Sequence, residues 1–309
     1  MPSPTSAAPT PMFRSKTAQG IGWMVMSTLM FVMVTGIIRN LGSALPAAES
    51  AFIRYAFGAL IMLPAIIHAL RNPPEKRLLG HFALRGFAHS LGVILWFFAM
   101  ARIPIAEVTA IGYTTPILVT IGAALFLGEA LKLRRLLGVF AGLFGALVIL
   151  RPGFQEVSIG QLAQLGAAPV FAISYLMTKN LTGRADSGMI VTMLTIFCTL
   201  FLLPFALWDW QTPSLRELAW LFATACCATF GHYAMTRALQ AAPVAVTQPV
   251  TFLQLVWASI LGVAMFGEAI DPWVILGGTI IVAAASFISY REMVSKKLPI
   301  TPPANAAKH

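Results

Sequence analysis

The chain has little charge. Only 10% of its 309 residues are Asp, Glu, Lys or Arg, against about 25% in soluble domains, while 58% are hydrophobic and the mean hydropathy is +0.80. No aqueous fold hides that much apolar surface. The scarcity of charge therefore excludes the pair of soluble domains that the length alone would allow. Cysteine is also scarce. Cys198, Cys226 and Cys227 stand in apolar stretches without CxxC or Cys/His spacing, so they read as packing thiols rather than a disulfide framework or a metal site. There is no Gly-x-x-x-x-Gly-Lys-Ser/Thr run, which argues against ATP as a driving force. No nucleophile–base pair, metal-ligand set or paired carboxylates stand at a spacing that calls for chemistry. The sequence thus points to no cofactor, no metal and no enzyme.

What the chain has in quantity is long apolar runs. Ten can be marked, at 18–38, 48–70, 80–101, 104–127, 134–151, 160–179, 188–208, 217–239, 243–267 and 272–290. Runs of about 20 residues that are apolar on all sides close their own backbone hydrogen bonds as helices in lipid. A transmembrane barrel needs short segments of period two instead. The expected fold class is an all-α integral membrane protein with ten transmembrane helices. The ends, 1–16 and 292–309, are rich in Pro, Ala, Ser, Thr and Lys and read as disordered tails. The first apolar run is long enough to span, so it is not read as a cleavable signal.

The net charge of +10 does not mark a nucleic-acid surface, because of where the charges lie. Fifteen of the 21 Lys and Arg residues fall in the two tails and the even-numbered connections, Lys132, Arg134 and Arg135 among them. The odd-numbered connections hold four, Arg39, Arg102, Arg151 and Arg216. The positive-inside rule then puts both termini in the cytoplasm of a multi-pass protein of the cell's inner membrane. The expected partners are the lipid bilayer and a small-molecule substrate, with a coupling proton left open and no nucleic acid.

Two stretches repeat. "FLGEALKLRRLLG" at 126–138 matches "MFGEAIDPWVILG" at 265–277, with Gly128, Glu129 and Gly138 each 139 residues before Gly267, Glu268 and Gly277. Pro104 and Pro243 share that offset. Phe31, Asn40, Leu41 and Pro64 precede Phe171, Asn180, Leu181 and Pro204 by 140, and "FAMAR" at 98–102 precedes "YAMTR" at 233–237 by 135. The chain reads as two five-helix units, 17–151 and 152–291. Because five is odd, the second copy is inverted in the membrane, the arrangement of secondary transporters that expose a central site to each side in turn.

Ten helices, a tandem five-helix repeat and a Gly-Glu closing the fourth helix of each copy resemble the drug/metabolite transporter superfamily, EamA type. "RIPIAEVTAIGYTTPILVTIGAALFLGE" at 102–129 carries the resemblance most fully. "FIRYAFGAL" at 52–60 and "LRGFAHSLGVILWFFAMARIP" at 84–104 are similar to the branch with bacterial riboflavin, S-adenosylmethionine and metallophore carriers. The resemblance implies a central cavity lined by the first, third, fourth, sixth, eighth and ninth helices. Pro116 aligns with Leu255, the nearest proline of the second copy being Pro249, so the two kinks are expected at different places.

Individual residues carry two readings each. Glu129 and Glu268, at helix ends beside tight turns, suit structural roles as acceptors for free N–H groups at a helix start; gating is the rival role. Arg54 and Arg85 lie inside apolar runs, where charge is costly and faces a cavity or a partner. Glu49 and Glu107 are the candidate partners for Arg54, and snorkelling to headgroups is the alternative for both arginines. Arg85, His89, Gly92 and Trp96 fall on one helix face at i, i+4, i+7 and i+11. Tyr113 and Thr114 before Pro116, Ser174 and Tyr175, His232 and Tyr233, and Gln248 and Gln254 make further polar patches. Any one of them suits packing; together they outline a polar, aromatic substrate cavity. Pro116 and Pro249 are the candidate hinges.

The expected function is a secondary transporter that moves a small organic metabolite by alternating access. A membrane channel or a structural subunit is the alternative, and a membrane-embedded enzyme a more distant one. The charge asymmetry makes a direct prediction. Green fluorescent protein fused to the C-terminus fluoresces, and alkaline phosphatase fused there is inactive; the opposite pair of results overturns the orientation.

Overall fold

The computed structural model describes residues 11–126, 133–151, 156–181, 184–241 and 250–296, and all regular structure among them is helical. Twelve helices follow in order: α1 (Pro11–Leu41), α2 (Ala47–Ile61), α3 (Leu63–Arg71), α4 (Lys76–Met100), α5 (Ile105–Gly112), α6 (Thr114–Phe126), α7 (Leu133–Leu150), α8 (Ile159–Leu181), α9 (Ser187–Trp208), α10 (Leu215–Ala241), α11 (Leu253–Phe266) and α12 (Pro272–Lys296). Helix falls within each of the ten apolar runs. By length and apolarity five helices can cross a membrane, in α1, α4, α8, α9 and α10, and α2 with α3 makes a sixth as a pair bent by 74°. Large apolar side chains such as Leu60, Leu70, Phe140, Phe144, Leu200 and Met265 stand exposed on the outside. An aqueous protein buries such groups, whereas lipid accepts them.

The helix starts are written locally. Ser158 and Gln161 exchange side-chain and backbone hydrogen bonds at the start of α8 (2.8 and 3.2 Å), as do Ser214 and Glu217 at the start of α10 (2.7 and 3.3 Å). Asp186 caps α9 by accepting the N–H of Met189. The end of α11 is a left-handed turn at Gly267 (φ 62°), a conformation that costs a residue with a Cβ. The N–H of Glu268 then reaches back to the carbonyl of Gly262 at 3.0 Å. This turn aims the Glu268 carboxylate back along α11.

Three apolar runs, the second, fourth and ninth, are interrupted by a turn. The second breaks at Met62, two residues before Pro64, since a proline in the first turn of α3 lacks only an N–H that needs no partner there. Its counterpart Pro204 lies inside α9, which runs through it. The fourth breaks at Tyr113 (φ −69°, ψ −4°), and a turn at Phe252 (φ −70°, ψ −17°) precedes α11. Tyr113 and Phe252 are 139 residues apart, the repeat offset, so the breaks correspond although the prolines do not. Pro116 sits in the first turn of α6, three residues past its break. Pro249 lies outside the described residues.

The packing is reciprocal. α1 packs on α10 and α4 on α8; α6 packs on α8 and α1 on α11; α4 packs on α9 and α2 on α10; α2 meets α9 and α7 meets α12. Exchanging 17–151 with 152–291 turns each pair into another of the set or into itself. α7 and α12 cross at two glycines. A Cβ on Gly145 meets the Gly277 carbonyl at 2.8 Å, and a Cβ on Gly277 meets the Gly145 carbonyl at 2.5 Å. Only hydrogen fits at either position. Gly277→Val should therefore destabilise the protein by about 1–3 kcal/mol, the usual cost of overpacking, and lower its melting temperature in detergent. Gly80→Ala, which meets nothing within 4 Å in α4, should leave it unchanged or higher.

Candidate functional site

The polar side chains inside the bundle gather in two places. The central one is built from Phe31 on α1, Arg54 and Tyr55 on α2, Arg85, His89 and Trp96 on α4, Phe171 and Ser174 on α8, Thr195 on α9, and Thr229 and His232 on α10. The rings of His89 and His232 stand 6.5 Å apart. Each histidine packs edge-on against a phenylalanine of the partner half, His89 on Phe171 at 5.2 Å and His232 on Phe31 at 5.0 Å. Phe31 and Phe171 are equivalent at the repeat offset, and each lies against a glycine beside its histidine. A Cβ on Gly92 meets Phe171 at 2.8 Å, and one on Gly231 meets Phe31 at 3.4 Å. Two copies of one local arrangement thus face each other.

Around this pair the polar contacts run between helices. His89 Nδ1 lies 3.3 Å from Ser174 Oγ. Arg85 donates from Nη1 to the Ile190 carbonyl at 2.7 Å, while its Nε is buried without a hydrogen-bond partner. The Arg54 guanidinium lies 4.1 Å from the centre of the Tyr55 ring. Arg54, Tyr55, Thr195, Thr229 and His232 line a cavity of about 20 Å³, roughly the room of one water molecule.

The structure brings together some of the residues singled out in sequence and separates others. Arg85, His89 and Trp96 lie on α4 as one face, but Arg85 turns to α9 whereas His89, Gly92 and Trp96 share Phe171 on α8. Tyr113 is buried beside α11, donating to the Thr251 carbonyl at 3.1 Å with its ring 5.2 Å from Phe252. Thr114 is spent locally, on the carbonyl of Ile111 at the helix break. Tyr175 is half exposed, within electrostatic reach of Arg85. Tyr233 is half exposed and has ring contacts with Trp23 and Phe230. Gln254 is partly exposed on α11. Gln248 and Glu129 lie outside the described residues. Neither expected partner of Arg54 meets it: Glu49 accepts the N–H of Gln211, and Glu107 accepts from Gln161. Tyr55, Thr195 and Thr229 were not legible as site residues, because an isolated hydroxyl in an apolar run looks like packing. Phe31 and Phe171 were visible only as repeat identities.

The second gathering lies at the end of the bundle that carries Arg39. Glu268 accepts from Arg39 Nε at 3.0 Å and from the N–H of Ile105, the first residue of α5, at 2.9 Å. Asp271 pairs with Arg151 and accepts the N–H of Trp273 at the start of α12. Glu107 takes the side chain of Gln161. Glu107, Glu268 and Asp271 line one hollow of about 60 Å³ with Pro104, Ser259 and Gly262. Arg39, Arg151, Gln161 and Asp271 could not be found from sequence, since residues at helix ends are ordinarily solvated.

Among the described residues, no three or more His, Cys, Asp or Glu side chains are arranged so that they could hold a metal ion. Comparison with known proteins agrees with a transport role. Residues 18–151 and 158–290 match the EamA-like transporter family. The chain is 29% identical over 280 residues to the riboflavin transporter of Vibrio cholerae serotype O1, covering 89% of this chain and 94% of that one. It is 26% identical over 281 residues to the S-adenosylmethionine uptake transporter of Rickettsia bellii, covering 90% and 97%. It is 25% identical over 272 residues to the pseudopaline exporter of Pseudomonas aeruginosa, covering 87% and 95%.

The His89–Ser174 contact ties α4 to α8 across the two halves. In a double-mutant cycle of His89→Ala and Ser174→Ala, unfolding in detergent should show a coupling of about 1 kcal/mol. Additive losses would mean that the two side chains act independently.

Proposed function

Because the chain belongs to the EamA-like transporter family, we propose that it is a secondary transporter of the inner membrane, moving a small organic metabolite by alternating access between its halves, 17–151 and 152–291. In this reading ten spans form two inverted five-helix repeats with both termini in the cytoplasm. The reciprocal helix packing and the corresponding breaks at Tyr113 and Phe252 support it. The central cluster is the substrate site, since it lies between the halves and takes side chains from both. Of the residues named in sequence, Arg54, Arg85, His89, Trp96, Ser174 and His232 are assigned to it. Tyr113 lies at the break where the halves touch, and the turns at Tyr113 and Phe252 are the moving points.

One observation carries the mechanism. At the Arg39 end, the contacts Arg39–Glu268, Ile105–Glu268, Arg151–Asp271, Gln161–Glu107 and Gln211–Glu49 all join the first half to the second. The charge bias assigns this end to the outer face. These contacts act as a gate that holds the outer face shut. A cavity of about 20 Å³ admits no metabolite, so loading requires the helices to part. A few hydrogen bonds and two part-buried ion pairs can break and re-form in each cycle.

The test is a reversible lock. With the three native cysteines replaced by Ser or Ala, Arg39→Cys and Glu268→Cys are joined by a cleavable bis-thiol cross-linker in proteoliposomes loaded with a total bacterial small-molecule extract. Mass spectrometry of the outer buffer should show release falling about tenfold or more on cross-linking and recovering on cleavage. Release at an unchanged rate from fully cross-linked protein would refute alternation across this gate.

A further inference from the structure

The chain's eleven acidic residues are Glu49, Glu75, Glu107, Glu129, Glu156, Asp186, Asp209, Glu217, Glu268, Asp271 and Glu292, and the ten among the described residues, all but Glu129, stand within five residues of a helix end or in a connection. Glu49, Glu107, Asp186, Glu217, Glu268 and Asp271 are engaged there by nearby N–H groups or side chains. Arg54 and Arg85 are 6% and 7% exposed in the interior. Among the described residues, no carboxylate forms an ion pair with either. The groups around them are His89, His232, Tyr55, Tyr175 and Cys198, whose imidazoles, phenols and thiol are not ordinarily anions at neutral pH. Among the described residues, the partners of these two cations are thus one ring face and one carbonyl. A buried guanidinium without a counter-charge is costly, and its planar fork matches carboxylate and phosphate.

We propose that the cargo is an organic anion whose carboxylate or phosphate supplies the missing counter-charge for Arg54 and Arg85. The planar part of that cargo lies against the ring surface of Phe171, His89 and Trp96. This rests on the transport reading above and adds the substrate class. Binding then combines charge-assisted hydrogen bonds at one end with aromatic contact at the other.

The experiment uses full-length protein in proteoliposomes loaded with a total bacterial small-molecule extract, with mass spectrometry identifying what leaves. Released species should carry a carboxylate or a phosphate, and their identities decide between the two. Arg54→Gln and Arg85→Gln should each cut that release about tenfold or more, the loss of one charge-assisted hydrogen bond, and Arg54→Lys should retain part of it. Ligand-free Arg54→Gln should melt no lower than the wild type, because it removes an uncompensated cation. A marked drop in melting temperature would make Arg54 a structural residue and overturn the proposal. Release of only neutral or cationic species, or of anions equally by wild type and variants, also overturns it and leaves the transport reading intact. Loss of a tightly bound anionic lipid from Arg54→Gln in native mass spectra, with release unchanged, would assign the arginines to a headgroup instead. No release of any solute by the wild type would refute the transport reading itself.

Discussion

A polar group among apolar helices must find its partner inside the protein, because neither lipid nor packed side chains can replace water. This constraint shapes the molecule. Hydroxyls within helices are spent on carbonyls one turn back, as Thr35, Ser90, Thr109 and Thr199 are. Many groups that are not satisfied locally reach across to another helix, and most of those bridges run from the first half of the chain to the second, while Arg85 Nε and the Tyr55 hydroxyl stay buried without a hydrogen-bond partner. The interaction that satisfies a buried group is therefore the same one that holds the halves together. In the proposed mechanism it is also the one that breaks when they separate.

The repeat supplies a scaffold on which the chemistry is unequal. Phe31 and Phe171 are matched in sequence and in environment, each against a histidine and a glycine. Tyr113 and Phe252 are matched as helix breaks and touch each other. At the repeat offset of 140, however, Arg54 corresponds to Leu194 and Tyr55 to Thr195, and all four line the central cavity. Both interior arginines thus come from the first half. A symmetric frame suits a site reached from two sides, whereas a cargo with one charged end and one planar end needs an asymmetric lining.

The Gly-Glu pair shows how a local signal takes on a long-range role. Gly267 adopts a left-handed turn that ends α11, and the turn directs Glu268 to Arg39 and to the first N–H of α5. In sequence Glu268 reads as an acceptor for the N–H groups of a neighbouring helix start. The helix it serves, 163 residues earlier in the chain, follows from no spacing.

By itself, the sequence determined the solvent, the helical class, the positions of the ten apolar runs, the charge bias of their connections and the internal repeat. Each of these follows from composition, run length or offset, which are properties of the chain in one dimension. It also marked Arg54, Arg85, His89 and His232, because polar groups in apolar runs are conspicuous. Only the tertiary structure decided who meets whom. It set His89 beside His232, 143 positions away; it gave Glu49 and Glu107 to Gln211 and Gln161 rather than to Arg54; and it put the helix breaks at Met62, Tyr113 and Phe252. The reason is rotational. A helix that is apolar on every side carries no polar stripe to fix which face turns inward. Its orientation is set by close packing, at contacts such as Gly92 on Phe171 and Gly145 on Gly277, and those exist only once all the helices are in place.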